Sequence, residues 1–482
     1  MPDDRSLLQR IAARAMIDYG LEPEFPPAAV GEVLRLDEPA VDDLRDLRHL
    51  PWSSIDNDDS RDLDQLEVSI EQDGSTRLLV AIADVDSLVA KGSALDDHAR
   101  TNTTSVYTVA RVFPMLPEQL STDRTSLNQD ADRPAMVAEM RIDASGAVVE
   151  GTVYRATVRN HARLTYDGVA AWLDGQGPVP APLGRIAGLD QQLRTQDRLG
   201  ALMREQRQRA GALEFDRNEV KPIMDDDGAV KALQAEAPNR ARDIIESFMV
   251  AANAVTARFL TGHGLPSIRR VVRVPKRWPR IVEIASALGT VLPAEPDSRA
   301  LEKFLRARRA ADPEGFADLS LSILKLMGRG EYVADGPGGA DDVHFALGES
   351  NYTHSTAPNR RFPDLVTQRL VKAALAGRQA PYGLADLSRL AEHCTKQEDA
   401  ANKVERRVRK SAAALWMSNR VGQDFDAVVT GASDKGTWVR ILTPPVEGKL
   451  ERGTEGLDVG DRLRVRLLRT DADRGFVDFA RV

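Results

Sequence analysis

The sequence predicts an α+β protein with a small helical N-terminal unit, a large central body of mixed sheets and helices, and a small C-terminal β-barrel. Apolar residues follow a helical period near the N-terminus and switch to alternation from Leu66. Short strands separated by Gly-rich turns fill the C-terminal end. A chain of 482 residues is long enough for about three domains, and we expect them at 1–50, 51–418 and 419–482.

The N-terminal segment predicts three short helices joined by tight turns, a pattern typical of a helix-turn-helix-like unit. Their apolar residues fall at helical spacing: Leu8, Ile11, Ala12 and Ala15; then Val30, Val33 and Leu34; then Val41, Leu44 and Leu47. Pro27 and Pro39 stand where helix starts are expected. A small packing appendage is an equal alternative. Acidic residues outnumber basic ones here, so we expect the segment to bind phosphate weakly.

The central body begins with a hairpin pattern. Leu66, Val68 and Ile70 alternate before an Asp73-Gly74 turn, and a second apolar run follows at 78–83. Amphipathic helices are predicted at 191–210 and 240–258.

The C-terminal region contains the short strand patterns DAVVTG, GTWVRI, DRLRVRLLR and GFVDFA. Five-strand spacing in so short a segment predicts an OB-fold barrel.

Composition and charge exclude several classes of protein. No stretch approaches the roughly 20 apolar residues of a membrane span, and the acidic N-terminus is unlike a secretory signal. A single cysteine, Cys394, excludes an intrachain disulfide framework. We therefore expect a cytoplasmic protein. The net charge of −8 argues against a nucleic-acid partner, but cations crowd 269–280 and 403–410 and keep that partner possible.

The chemistry is concentrated in residues 53–65, SSIDNDDSRDLDQ. Its five carboxylates repel one another unless a cation compensates them. If 62–66 enter the hairpin strand, Asp62 and Asp64 point to one face, and Asp56 can fold over from the preceding loop. Such an oxygen-only cluster selects Mg²⁺, with Mn²⁺ second, and paired ions of this kind serve phosphodiester cleavage.

Two alternatives compete for this segment. An EF-hand-like calcium loop fits the spacing of its oxygen side chains, but Arg61 occupies the position where the sharp turn needs Gly, and a strand pattern follows instead of a helix. A solvated acidic turn is the other alternative, and this segment alone leaves it open.

The run I-D-x5-D-L-D resembles the active-site motif of the ribonuclease II and ribonuclease R family. Later segments resemble that family's catalytic domain in the same order: AIADVDSLVAKGSALDDHA, TSVY, PMLPEQLS, SLNQDADRP, ARLTYDGV, GALEFD, IIESFMVAAN and YTHSTAPNRRFPDL. The resemblance covers roughly 50–415 and implies a Mg²⁺-dependent exoribonuclease body followed by an RNA-binding OB domain. It implies hydrolysis of single-stranded RNA from the 3′ end to nucleoside 5′-monophosphates.

The resemblance also assigns residues. Asp56, Asp62 and Asp64 match carboxylates of the metal site, and Arg360 matches an arginine that grips the scissile phosphate. A planar guanidinium suits that role because it binds phosphate through two donors. Gln65 stands where the family has a fourth aspartate, and it can coordinate a metal through its carbonyl oxygen without adding charge.

Three further residues match the family's RNA contacts. Tyr107 matches an aromatic residue that stacks on the terminal nucleotide, while Tyr166 and Glu246 match residues that hold the 3′ nucleotide and its ribose. Packing tyrosines and a helix-surface glutamate are the structural alternatives. In the barrel, Phe425 and Trp438 are candidate stacking platforms for bases, with barrel core as the alternative.

Two departures from the family qualify this expectation. The two N-terminal cold-shock-type OB domains of the family do not fit into the 50 or so residues before the motif, so the RNA entrance must be built differently. Because Gln65 replaces the family's fourth aspartate, a catalytically silent RNA-binding protein is an alternative function. A metal-dependent phosphodiesterase acting on DNA or a nucleotide is a third possibility. We expect the protein to be a monomer.

Overall fold

The computed structural model describes residues 3–41, 44–216, 220–225, 228–235, 237–337 and 343–482. The helices are α1 Asp4–Asp18, α2 Pro27–Val33, α3 Ala94–Asn102, α4 Tyr166–Leu173, α5 Leu189–Ala210, α6 Arg240–Gly262, α7 Trp278–Ala287, α8 Ser298–Ala311, α9 Pro313–Leu326, α10 Phe362–Leu375 and α11 Leu384–Met417. The strands before the barrel are β1 Arg45–Asp46, β2 Ser53–Asp56, β3 Gln65–Gln72, β4 Ser75–Ala83, β5 Val106–Tyr107, β6 Val112–Phe113, β7 Asp132–Asp143, β8 Val148–Arg159, β9 Ala162–Thr165, β10 Val220–Met224, β11 Val230–Ala235, β12 Ser267–Val272, β13 Gly330–Asp335, β14 Val343–His344 and β15 Glu349–Ser350. The barrel strands are β16 Asp424–Ser433, β17 Gly436–Ile441, β18 Glu447–Arg452, β19 Arg462–Asp471 and β20 Phe476–Arg481.

A seven-stranded mixed sheet with the order β1-β8-β7-β4-β3-β2-β9 forms the centre of the body. The predicted hairpin is confirmed as β3 and β4, which pair antiparallel from Gln65↔Ile82 to Gln72↔Ser75. Gly74 adopts a φ of +71° in the turn between them, a conformation that glycine reaches without a steric penalty. At the sheet edge, β2 runs parallel to β9, so both strands end at the same side of the sheet.

Helix α6 packs across this sheet and connects it to the candidate site. Its N-cap residue Asn239 accepts hydrogen bonds from the backbone N–H groups of Ala241 and Arg242, at 3.0 and 3.2 Å. In the described part of the chain it is the one helix long and apolar enough to cross a bilayer, more apolar than we expected from the sequence. However, 72% of its most apolar window is buried inside the protein, which is typical of a core helix.

The N-terminal helices pack onto the body, as the appendage alternative anticipates. Helix α1 lies on α11 through a cluster that includes Leu8 and Val404, whereas α2 packs on α3. The predicted third helix is wrong where it is described. After Leu44 the chain instead forms β1, which pairs parallel with β8. The backbone of this segment forms hydrogen bonds to the sheet, because the N–H of Leu47 donates to the Thr157 carbonyl at 3.0 Å. Residues 42–43, in the same prediction, lie outside the described residues.

The predicted OB-type barrel is confirmed as a closed barrel with the order β16-β17-β18-β20-β19. Its centre is apolar, with Val439, Leu450 and Phe479 buried. The 34-residue helix α11 carries the chain from the body to the barrel and packs against β19 and β20. Ion pairs such as Lys325–Glu447 at 3.1 Å join the barrel to α9.

Candidate active site

Asp56 and Tyr166 come together because β2 and β9 are parallel neighbours. Asp56 ends β2 opposite Thr165, the last residue of β9, and Tyr166 begins α4 directly after it. The Thr165 hydroxyl caps α4 by accepting from the Gly168 N–H at 3.1 Å. Burial raises the pKa of the Asp56 carboxyl above its ordinary value, and burial followed by the charge of Asp56 raises the pKa of the Tyr166 hydroxyl.

The loop that follows Asp56 is held by an arginine from the neighbouring strand. Arg163 on β9 donates to the backbone carbonyls of Asp58 and Ser60 at 2.8 and 2.7 Å. This arrangement leaves the Asp58 and Asp59 side chains exposed on the loop, while the chain returns toward β3 with Asp62. The acidic run therefore divides into an outer pair and an inner set formed by Asp56, Asp62 and Asp64.

Asp62 contacts one of the predicted RNA-binding residues. The Tyr107 hydroxyl donates to Asp62 Oδ2 at 3.2 Å, and the Ser60 hydroxyl donates to Oδ1 at 3.4 Å. The backbone of Tyr107 is also held in place, because its N–H donates to the Glu405 carboxylate on α11 at 2.9 Å. Tyr107 is 43% exposed, so its ring forms part of the surface beside the carboxylates.

Asp64 is paired with the predicted phosphate-binding arginine. Arg360 Nε donates to Asp64 Oδ2 at 3.2 Å, and the Asn359 backbone N–H donates to Oδ1 at 3.2 Å. The Asp64 carboxylate is almost fully buried, whereas the Arg360 side chain is 45% exposed. Burial raises the pKa of Asp64 to about 7, although the positive charge of Arg360 opposes this shift.

Gln65 and Glu67 occupy the same face of β3, because strand residues two apart point in the same direction. Gln65 is buried, and its side chain makes no hydrogen bond within the described ranges. Glu67 is fully buried, and neither of its carboxylate oxygens has a hydrogen-bond partner in the described part of the molecule. Burial, and then the nearby charge of Asp56, raises the pKa of Glu67 well above its ordinary value.

Helix α6 presents a polar stripe to this region. Arg242 donates to Asn57 Oδ1 at 2.9 Å, and its guanidinium lies 5.2 Å from the centre of the Tyr166 ring. Glu246 follows one turn later, so it lies on the same side of the helix, and it is exposed. Glu246 interacts electrostatically with Arg207 of α5. It therefore lies at the border of the site.

The inner carboxylates have the chemistry of a hard-cation site, with oxygen as the only donor atom. Among the residues that the structure describes, however, no three His, Cys, Asp or Glu side chains are grouped closely enough to hold a metal ion. The Arg360 guanidinium supplies positive charge to Asp64 in this arrangement. The donor set therefore fits Mg²⁺ in kind, while the assignment of Asp56, Asp62, Asp64 and Gln65 as ligands stays a prediction.

The two barrel aromatics differ in their surroundings. Phe425 on β16 is partly buried and packs against the barrel core, the structural alternative we gave for it. Trp438 on β17 lines a concave surface next to Lys449 of β18, its cross-strand partner. Trp438 is therefore the better placed of the two to meet a ligand.

Several site residues were not anticipated from the sequence. Arg242 and Asn359 lack any local pattern that would mark them, although Arg242 precedes Glu246 by one helical turn. Arg163 acts on a loop about 100 residues away in sequence, a contact that only the pairing of β2 with β9 creates. Glu67 continues the acidic run along β3 and could have been suspected, because a carboxylate in an otherwise apolar strand requires compensation.

Comparison with known proteins agrees with this fold. Residues 44–377 match the RNB domain, and residues 423–482 match the RNase II-type exonuclease C-terminal S1 domain. Ribonuclease R of Vibrio parahaemolyticus is 30% identical over 496 residues, which cover 95% of this chain and 58% of that protein. Ribonuclease R of Aquifex aeolicus is 29% identical, with coverage of 96% and 68%.

A solved structure has a similar fold along nearly the whole chain. Mycoplasma genitalium RNase R in complex with ribose-methylated single-stranded RNA aligns with a TM-score of 0.88 at 23% identity. The alignment covers 99% of this chain and 78% of that one. This chain thus spans between about three fifths and four fifths of the length of these similar proteins.

Proposed function

Because the chain belongs to the RNB-domain family, we propose that it is a hydrolytic 3′-to-5′ exoribonuclease that degrades single-stranded RNA to nucleoside 5′-monophosphates. The observation that carries this proposal is the convergence of two contacts at one place, Tyr107 on Asp62 and Arg360 on Asp64. An aromatic ring for a base, a guanidinium for a phosphate and buried carboxylates for a cation are the groups that phosphodiester hydrolysis needs.

The 3′-terminal nucleotide would be bound by residues around the carboxylates. Tyr107 offers an exposed ring for stacking on a base. Tyr166 is backed by the Arg242 guanidinium, and Glu246 on the same helix would accept a hydrogen bond from a ribose hydroxyl. A 2′-hydroxyl is the group that distinguishes RNA from DNA, so Glu246 is the side chain to test for sugar discrimination.

Asp56, Asp62 and Asp64 would hold Mg²⁺, or Mn²⁺ in its place, with Gln65 as a neutral additional ligand. Such an ion supplies a nucleophilic water and charge neutralisation at the scissile phosphate. Arg360 would donate two hydrogen bonds to the phosphate oxygens once its guanidinium leaves Asp64 for the substrate. A cation bound at these carboxylates would favour the ionised form of Asp64, whose pKa burial raises to about 7.

A catalytically silent RNA-binding protein is the second candidate, and Gln65 is the observation that favours it, because the family's fourth aspartate is absent. The test is incubation of 3′- and 5′-labelled single-stranded RNA, and of DNA with the same sequence, with Mg²⁺ or after exhaustive chelation. We expect 5′-monophosphates from RNA only, and only with the metal. RNA binding without products would establish the silent protein, while equal decay of DNA would establish a general phosphodiesterase.

We also propose that the protein acts in the cytoplasm as a monomer. The support for the compartment is the single cysteine of the sequence, because proteins of oxidising compartments commonly carry paired cysteines in disulfides. Light scattering of the RNA-free protein and of its complex with a non-hydrolysable strand would test the monomer. A dimeric mass in either state would contradict it.

A further inference from the structure

The segments that carry Asp62 and Arg360 come from distant parts of the chain, and both are bonded to one dipeptide, Thr125–Ser126. We call these two residues the positioning pair. They directly follow a π-helical turn at Gln119–Arg124, a rare element that is frequently found at functional sites. Thr125 is 4% exposed and Ser126 is 0% exposed, so neither side chain is accessible to a substrate.

Ser126 holds the backbone on both sides of Asp62. The Leu63 N–H donates to Ser126 Oγ at 3.0 Å, and the Ser126 hydroxyl donates to the Arg61 carbonyl at 3.1 Å. One residue further along, the Leu127 N–H donates to the Leu63 carbonyl at 2.9 Å. These hydrogen bonds fix the stretch of backbone that carries the Asp62 carboxylate, and they lie on the side of the loop away from the solvent.

Thr125 holds the residue immediately before Arg360. Its hydroxyl donates to Asn359 Oδ1 at 2.6 Å and lies 2.8 Å from the Leu120 carbonyl oxygen. The Asn359 side chain is buried, and its Nδ2 has no hydrogen-bond partner in the described part of the molecule. Within those residues, the Thr125 hydroxyl is therefore the group that orients the Asn359 amide. The backbone N–H of the same asparagine donates to Asp64 at 3.2 Å.

Two adjacent residues thus connect the carboxylate loop to the arginine loop. Adjacent Cα atoms are about 3.8 Å apart across a trans peptide bond, so the two anchor points cannot separate. A displacement of about 1 Å at the reacting groups can reduce a rate about 100-fold, even when its cause lies away from the chemistry. The spacing between Asp62 and Arg360 therefore depends on a buried covalent unit.

We propose that Thr125 and Ser126 are positioning residues for phosphodiester hydrolysis, because they set the distance between Asp62 and Arg360 without touching the substrate. The proposal rests on the proposed function and adds to it two residues that carry no charge and no aromatic ring. With its backbone anchored through Asn359, Arg360 has to move only its side chain from Asp64 to the scissile phosphate.

The test removes the Thr125 hydroxyl at nearly constant side-chain volume. Thr125→Val should slow single-turnover cleavage of RNA with Mg²⁺ by about 10- to 100-fold, while the affinity for the same RNA in chelator stays within about twofold. Thr125→Ser, which keeps the hydroxyl, should restore most of the rate. Asn359→Leu removes the other partner of the bond and decides the question if Thr125→Val does not fold. The double variant should be no slower than the slower single variant, since both lack the same contact.

Thr157→Val is the matched control. Thr157 is also buried, and its hydroxyl donates to the Val41 carbonyl at 2.7 Å, away from the carboxylates. This variant should lose stability to a similar extent, measured as the midpoint of thermal unfolding, and should cleave RNA at the wild-type rate. The proposal would be overturned by a Thr125→Val rate within about twofold of the wild type, by an equal loss of rate in Thr157→Val, or by no rescue in Thr125→Ser.

Hydrogen exchange of the RNA-free chain tests the positioning pair without relying on hydrolysis. Thr125→Val should speed exchange of the Asn359 N–H, and Ser126→Ala should speed exchange of the Leu63 N–H, while the amides of the β3–β4 pairing keep their wild-type rates. Unchanged exchange at both amides would overturn the positioning role. If the wild-type chain hydrolyses no RNA, the proposed function fails, while the exchange rates still decide whether the pair holds the two segments.

Discussion

Glu67 predicts an unusual dependence of stability on pH. Its buried carboxyl has no hydrogen-bond partner in the described structure, and burial raises its pKa well above the ordinary value of 4.5. A raised folded-state pKa means that the stabilising contribution is complete below about pH 4.5 and is lost as the pH rises toward the folded-state pKa. Glu67→Gln keeps the size and polarity of the side chain and removes the proton equilibrium.

The magnitude of this pH dependence follows from the titration of one carboxyl group. Above pH 4.5 the free energy of unfolding of the wild type should fall relative to Glu67→Gln by about 1.4 kcal/mol per pH unit, for as long as the folded carboxyl stays protonated. The difference grows with pH until the pH reaches the folded-state pKa, and it is seen as a lower midpoint of thermal unfolding for the wild type than for Glu67→Gln. Asp64 lowers wild-type stability in the same direction, but it is present in both proteins and cancels.

The assay is calorimetry of both proteins from pH 4.5 to 8 in the presence of chelator. Glu71→Gln is the control, because Glu71 shares the strand face of Glu67 but is exposed and paired with Arg198. The free energy of unfolding of Glu71→Gln should change with pH in the same way as that of the wild type. A difference between Glu67→Gln and wild type that does not change with pH would refute the reasoning, since Glu67 would then be charged and compensated in the folded protein.

Three further predictions concern the site. Asp64→Asn should abolish hydrolysis and leave RNA affinity nearly unchanged, because it removes a metal-site charge and spares the other RNA contacts; retained turnover in a product assay would remove Asp64 from the site. Arg360→Lys should slow single-turnover cleavage about 100-fold, because the ammonium group lacks the two-donor fork, and a loss below about threefold would contradict this role. Gln65→Asp should lower the Mg²⁺ concentration for half-maximal rate, and an unchanged titration would mean that another carboxylate of the acidic run, Asp58 or Asp59, already supplies the charge.

The fold could be predicted from the sequence where local pattern and tertiary structure agree. The β3–β4 hairpin follows from alternation with a glycine turn, and the helix predicted at 191–210 is found at Leu189–Ala210. The prediction of a third N-terminal helix was wrong because local pattern and tertiary structure disagree there. Val41, Leu44 and Leu47 have helical spacing, but pairing with β8 supplies backbone hydrogen bonds in place of a short helix of marginal stability.

The candidate site was predictable only in part. The acidic run identified the carboxylates, and the resemblance supplied Arg360, Tyr107 and Tyr166, whose proximity to the carboxylates depends on contacts far apart in sequence. No sequence pattern could reveal that Asp64 pairs with Arg360 almost 300 residues later, since that contact arises from the packing of the loop before α10 against the start of β3. The burial of Glu67 likewise depends on which sheet face is covered.

Helix α11 carries both the residue that holds the Tyr107 backbone and the connection from the body to the barrel. An unbroken helix rises by about 1.5 Å per residue, so Glu405 lies roughly 18 Å along the axis from Met417, the last residue of α11. Tyr107 and the barrel are therefore attached to one element at a spacing that covalent geometry sets. A substitution that bends α11 between Glu405 and Met417 would move the barrel relative to Tyr107, even if the substituted side chain contacted neither.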